Sequence, residues 1–353
     1  MMFSPLAERI GDFIGSRRCI LVLGLATLIV NTAHAQEATK TRAGGTKVDS
    51  PIHSQGIIDV KAYGAKGDNK TDDYQAIVTA FTRASSSGKA LYFPQGKYLV
   101  NSQLVFPLDS AKSGVRIFGA GVTLSVINAR NVPDSPQVSF SCQGASPTKA
   151  CHTAYLTVEN IGFETQTPHT GVAFGNMDLA KADNINALKL DAWVYNYDTS
   201  ESAKAVTLNR LFNPDVRLIA NVKGDGTALT LRQVSFGRFF GSFGAGVYRR
   251  EFPSGDFMYT KGVAVRITDS FNNGNVFTAM DMENVAICVV HDSPANQGNT
   301  FVGGTFSFKD YGVVSTAGSR LMIQNPGINP TQASVTHMIH PSKDRGLFVL
   351  PPL

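Results

Sequence analysis

Apolar and polar residues alternate in short runs through most of this chain, and the pattern departs from that period once. Ala76, Ile77, Ala80, Phe81 and Ala84 fall at helical spacing, so an amphipathic helix is expected from about Asp73 to Ala84. A short strand with Ile57, Ile58 and Val60 precedes it and is broken by Gly64, Gly67 and Asp68-Asn69. Thr71 or Asp72 is the expected helix cap, with Asp72 and Asp73 at the positive end of the helix. Ser85-Ser86-Ser87-Gly88 ends the helix, and Leu91-Tyr92-Phe93 begins the next strand. From Gly114 onward only short strands and turns follow, including Val115–Phe118, Leu156–Phe163, Ala205–Leu208, Ala228–Leu231 and Val263–Ile267. Strands at such spacing mean a sandwich, a barrel or a solenoid.

An internal repeat selects the solenoid. Gly274-Asn275-Val276-Phe277 reappears as Gly298-Asn299-Thr300-Phe301, an offset of 24, and Val289-Val290 reappears as Val313-Val314 at the same offset. A unit of that length cannot bury its own apolar face and must stack on its neighbours. Asn275 and Asn299 are expected to stack at a turn, and Phe277 and Phe301 inside. Residues 114–325 would hold roughly nine coils at that period. The pattern fades from Gly327, and Pro326, Pro330, Pro341, Pro351 and Pro352 suggest an irregular cap or tail over 327–353.

The N-terminal module carries a resemblance. Val60-Lys61-Ala62-Tyr63-Gly64-Ala65, the turn from Gly67 to Asp73, Gln75-Ala76-Ile77 and Phe93-Pro94-Gln95-Gly96-Lys97-Tyr98 occur in order and at the right spacing. Together they resemble the start of pectate-lyase-superfamily proteins of the rhamnogalacturonase/epimerase type, a module also found in phage tailspikes. The resemblance implies an all-β fold: a right-handed, single-stranded parallel β-helix over residues 56–326, with 56–98 as the N-terminal module and a helix capping the end. It also implies a carbohydrate ligand. It transfers no catalytic residue. The Asn-Thr-Asp, Asp-Asp, Gly-His-Gly and Arg-Ile-Lys motifs of polygalacturonases are missing from the helical region, where Arg266-Ile267-Thr268 is the nearest remnant. Asp72 and Asp73 form an acid pair in the module, but helix capping accounts for them.

Ahead of the module, Arg17-Arg18 precede an apolar run from Cys19 to Val30, and Ala33-His34-Ala35 has the form of a signal peptidase site. Residues 1–35 therefore read as a signal peptide, of the general or the twin-arginine type, and 36–55 as a flexible lead-in. The expected location is periplasmic or secreted, with no membrane attachment after cleavage. The net charge of +5 is too mild, and too dispersed, for a nucleic-acid partner. In an oxidising compartment Cys142 and Cys151 are expected to form a disulfide across the loop between them, leaving Cys288 as a buried thiol. No set of residues has the spacing of a metal site.

Two stretches carry candidate chemistry. In Met280-Asp281-Met282-Glu283 the methionines would point inward and both acids outward, about 6.5–7 Å apart at their Cα atoms. Asp281, Glu283 and Asp292 are the candidate catalytic residues. In Asp191-Ala192-Trp193-Val194-Tyr195-Asn196-Tyr197 the rings of Trp193, Tyr195 and Tyr197 share one strand face with Asp191. These four are the candidate sugar-binding residues, since aromatic faces stack on sugar rings. The expectation is a polysaccharide-acting enzyme, hydrolase ahead of lyase, without a cofactor, or with calcium if it is a lyase. The alternative is a non-catalytic carbohydrate-binding or tailspike-like assembly protein, so both a monomer and a homotrimer are open.

Overall fold

The computed structural model describes residues 56–108, 114–142, 151–153, 155–177, 183–245, 261–292, 298–315, 320–330 and 347–350. The chain divides into two units, Met1–Val48 and Asp49–Leu353, and all described residues belong to the second. The expected signal peptide and lead-in lie outside the described residues.

The chain winds into a right-handed parallel β-helix in which every strand pairs in parallel with one a coil away. Three sheet faces recur. The first holds Ile57–Asp59, Ala90–Phe93 and Val115–Gly119. The second holds Gly96–Leu99 and Ser125–Asn128, and the third Leu104–Pro107, Val138–Ser141 and Thr170–Phe174. In later coils single long strands such as Leu188–Asn196 and Asp215–Val222 run across the first two faces. The bend between those faces first appears as a bulge at Asn160, which takes a left-handed φ of 55°.

The first-face core row runs through Ile58, Leu91, Ile117, Val158, Leu190, Val216, Phe239, Phe277, Phe301 and Ile323 in register. The offset of 24 seen in the sequence is the true register of Val276 on Thr300. Phe277 and Phe301 stack at 4.2 Å between centroids. A second stack, Phe106, Phe140 and Phe174, has both spacings at 4.7 Å. Eight coils lie between residues 114 and 325, fewer than a uniform period implies, because loops lengthen some of them. Phe239 and Phe277, for example, are adjacent rungs. The ladder also continues past residue 326. Gly327–Pro330 pairs with Thr305–Phe308, and Leu347–Leu350 pairs with Leu321–Gln324, within the stretch expected to be irregular. Pro330 sits at the end of its strand, where a missing N–H is tolerated.

The helix Tyr74–Ser87 covers the N-terminal end of the coil. It buries Ile77, Ala80, Phe81 and Ala84, and Phe81 meets Phe106 edge-on at 5.0 Å. The cap differs from expectation. Asp73 is the N-cap residue, but its side chain makes no cap bond to the helix. Instead its buried carboxylate accepts from the N–H groups of Lys66 and Gly67, at 2.6 and 3.0 Å, and ties the preceding turn down. Asp72 accepts from Tyr74 N.

A further row lies at the corner before the first face, two residues ahead of the paired Asp215, Arg238, Val276 and Thr300. Asn213, Phe236, Gly274 and Gly298 occupy it, with φ of 54°, 58°, 65° and 69°. Asn and Gly adopt this conformation readily. A bulky residue there stores roughly 1–3 kcal/mol of strain.

Beside this row lies a buried amide network. Asn275 Nδ2 donates to Asn299 Oδ1 at 2.9 Å, and Asn299 Nδ2 is 3.2 Å from His291 Nε2. The imidazole of His291 is fully buried, and burial pushes its pKa down to about 4, against a smaller upward pull from Asp292. Above about pH 6.5 folded and unfolded chains both hold a neutral ring. Below that pH the unfolded chain takes up a proton that the folded one refuses until about pH 4. Stability is therefore expected to fall through that window, by roughly 3 kcal/mol from this group. Urea unfolding at pH 7, 5 and 4 should show the loss, and His291→Gln should flatten it. An equal acid slope in both proteins would remove His291 as the cause.

Cys142 is disulfide-bonded and Cys288 is a free, buried thiol. The side chain of Cys151 lies outside the described residues. A non-reducing digest is expected to link the peptides of Cys142 and Cys151. Recovery of Cys151 as an alkylatable thiol in the native protein would end that pairing.

Candidate functional site

Met280 and Met282 are buried, so Asp281 and Glu283 project outward from the second face. Trp193, Tyr195 and Tyr197 also project outward and are half-buried, while Ala192 and Val194 fill the core. The parallel register places the two sets on the same face. Lys97, Val126, Gly162, Trp193, Ile219, Ser242 and Asp281 are successive rungs of one outward row. Glu164, Tyr195, Asn221, Gly244 and Glu283 form the row beside it. Asp281 lies three rung-to-rung steps from Trp193, roughly 14 Å at the spacing of neighbouring strands. The surface between them is low, consisting of Ile219, Asn221, Ser242 and Gly244.

The aromatic residues form a connected ladder. Ring centroids lie 6.2 Å apart from Trp193 to Tyr195 and 4.5 Å apart from Tyr195 to Tyr197. The guanidinium of Arg130 sits 3.9 Å above the Tyr197 ring. Burial raises the Tyr197 phenol pKa, as does the nearby Glu164 charge, while Arg130 opposes the shift. Gly162 makes room for the indole, since a Cβ there would lie 3.1 Å from the Trp193 ring and 2.3 Å from Val122 O. The indole borders a cavity of about 380 Å³, also lined by Gln95, Lys97, Leu124 and Glu164. There Lys97 Nζ is 2.8 and 2.7 Å from the two oxygens of the buried Glu164 carboxylate.

Lys97, Glu164 and Arg130 were not among the candidate catalytic or sugar-binding residues read from the sequence. Lys97 and Glu164 are 67 positions apart, and only the ladder brings them together. The one local signal is a glutamate within Ile161–Thr165, a segment otherwise buried and uncharged. Asp191 is outward, as expected, but it lines a separate charged pocket of about 170 Å³ with Glu159, Lys189, Asp215 and Arg217.

Asp281 and Glu283 stand two residues apart on the outward side of one strand. Partial burial raises the Glu283 pKa, and Asp281 raises it further by charge and hydrogen bonding. Asp281 also reaches Ser242 Oγ at 3.5 Å. Asp292 does not join them. It follows the part of the strand that pairs with Val263–Thr268 on the third face, and its carboxylate is held 2.5 Å from Arg266 Nη1. The cause is the bend inside Asp281–His291, whose first residues pair with the second-face segment Ser242–Gly244.

A right-handed parallel solenoid with a helix-capped end is the architecture of the pectate lyase-like β-helices. The pattern of the family described as rhamnogalacturonase A/epimerase, pectate lyase-like matches residues 57–236. The chain belongs to that family. Over 66 residues it is 41% identical to a pre-neck appendage protein of Bacillus phage B103, a match covering 19% of this chain and 7% of that protein. It is 49% identical over 45 residues to an exopolygalacturonase of Arabidopsis thaliana, covering 13% and 10% of the two chains. A glucan 1,3-beta-glucosidase of Cochliobolus carbonum is 35% identical over 111 residues, 27% of this chain and 14% of that one. These matches span only a small part of each relative's length. Among solved structures, DFA-IIIase from Arthrobacter chlorophenolicus A6 in complex with GF2 superposes with a TM-score of 0.50 at 13% identity, covering 78% of this chain and 70% of that one. That likeness concerns the fold alone. No helix among the described residues is long and apolar enough to cross a membrane.

Proposed function

We propose that this protein is an exported polysaccharide-acting enzyme, a glycoside hydrolase rather than a lyase, working on the outward second face. The observation that carries this reading is the shared register of the Trp193–Tyr195 ladder and the Asp281–Glu283 pair. A glycan chain lying along the helix axis would stack on the rings and pass over the acids. Family membership and the glycosidase names of two partial relatives support a carbohydrate substrate.

In this reading Glu283, whose proton affinity is raised by partial burial and by Asp281, protonates the glycosidic oxygen as the bond to the anomeric carbon breaks, and a water adds to that carbon and returns a proton to the acid pair. Asp281 is oriented by the Ser242 hydroxyl, which donates to it at 3.5 Å. Among the described residues no group of three or more His, Cys, Asp or Glu could hold a metal ion. A screen of acidic and neutral polysaccharides, scoring both reducing ends and unsaturated products, tests the reaction class. Unsaturated products would make the protein a lyase.

Binding has its own test. Trp193→Ala is expected to weaken oligosaccharide binding about tenfold or more, the scale of a lost aromatic platform, with little change in thermal unfolding. Trp193 is the only tryptophan of the chain, so its emission reports the ladder directly. If no polysaccharide perturbs that emission, the ladder is not the binding surface. Perturbed emission without any product would instead support a non-catalytic carbohydrate-binding protein.

A further inference from the structure

The left-handed corner row ends in a notch that the second-face reading does not use. Its rungs are Asn213, Phe236, Gly274 and Gly298, and Arg320 follows, two residues ahead of Met322, which pairs with Thr300. Phe236 is the exception in this row. Its backbone is left-handed like those of its neighbours, yet it carries a large ring, and the residue is 55% exposed. Its ring is braced by Phe212 at 5.2 Å and rests on Gly274, where a Cβ would come within 2.9 Å of it. One rung on, a Cβ at Gly298 would meet nothing nearer than the Gly274 backbone at 3.9 Å.

Two glycines therefore cut a gap between a phenyl wall at Phe236 and a guanidinium wall at Arg320. The gap is a cavity of about 420 Å³, with Thr300 and Met322 along one side. Arg320 is exposed, and its guanidinium has no carboxylate partner among the described residues. More than half of this strained ring stays open to solvent despite its packing on Phe212, at a position where an asparagine or glycine would serve the backbone better.

We propose that this notch is a second saccharide-binding cleft, separate from the second face, that takes an acidic sugar residue. Phe236 stacks on the C–H face of the ring and Arg320 pairs with its carboxylate. A flat ring with an apolar face and one anionic group matches an aromatic wall facing a cation across a side-chain-free floor. The polar Thr300 and Asn273 at the rim suit sugar hydroxyls.

Short oligomers of galacturonate, mannuronate and glucuronate, each beside its neutral hexose counterpart, are the probes, with calorimetric titration as the readout. At least one uronate oligomer is expected to bind the wild-type protein, and to keep that binding in the Trp193→Ala variant. Persistence in that variant separates this cleft from the aromatic ladder of the second face. Phe236→Gly and Gly298→Asn should each weaken binding tenfold or more. Both replacements suit a left-handed backbone, so neither should lower the melting temperature, and Phe236→Gly should raise it. Arg320→Gln should abolish the preference for uronate over neutral sugar. The proposal is overturned if no uronate oligomer binds, or if binding survives both Phe236→Gly and Gly298→Asn. It is equally overturned if Phe236→Gly lowers the melting temperature, which would make the ring structural. Self-association of the wild-type protein that Phe236→Gly abolishes would assign the ring to a contact between copies and overturn it too.

Discussion

Replacing Phe81 with Asp is expected to leave no folded protein. Phe81 is 2% exposed and faces Phe106, whose ring begins the stack through Phe140 and Phe174. A carboxylate at that point would be buried against aromatic carbon with no cation beside it, at a cost of several kcal/mol. The lost ring adds about 3–5 kcal/mol. Together these are comparable with the whole stability of a typical domain. The measurement is the yield and melting temperature of Phe81→Asp beside Phe81→Leu, which keeps the apolar surface and should fold. A soluble Phe81→Asp protein with unchanged unfolding would mean that the helix does not close the end of the coil.

Removing either member of the acid pair is the second change with a large expected effect. Asp281→Asn or Glu283→Gln should lower turnover about a hundredfold or more, the usual scale of lost general acid–base catalysis. Because the two groups are proposed to act together, the double variant should be little worse than either single one. Neither change should cost much stability, since Glu283 is exposed and Asp281 half-buried. The raised Glu283 pKa sets the sign of the pH effect. An acid that must be protonated loses activity as pH rises through its pKa, so the alkaline limb of the profile should shift in the Asp281→Asn variant. Full activity in both single variants would move the chemistry elsewhere on the face, with Glu164 the first residue to replace.

What could be read from the sequence was what depends on neighbours along the chain. The 3.6-residue stripe ending at Ala84, the inward methionines around Asp281 and the alternation at Trp193 are all short-range patterns. The 24-residue match also succeeded, because no long loop intervenes between Phe277 and Phe301. Long-range placement was not legible, because coil lengths differ. Val216 to Phe239 is 23 positions and Phe239 to Phe277 is 38. No fixed period could therefore have shown that Trp193 and Asp281 share a row, or that Lys97 meets Glu164. Asp292 was misplaced for a related reason. Its distance from Glu283 along the chain is short, but the strand turns a corner between them. The strands at Gly327–Pro330 and Leu347–Leu350 were hidden by their prolines and by the stretch that separates them.

The three rung-to-rung steps from the aromatic ladder to the acid pair act as a ruler. Each rung is held to the next by backbone hydrogen bonds and packed core rings, so the interval cannot stretch or slide. It can change only by a whole coil, in steps of roughly 4.8 Å. On the proposed reading, the length of chain held between platform and cut is thus quantised by architecture rather than tuned by side chains. Insertion or deletion of one coil between Val194 and Met282 would reset the size of the released fragment while leaving both chemical groups untouched.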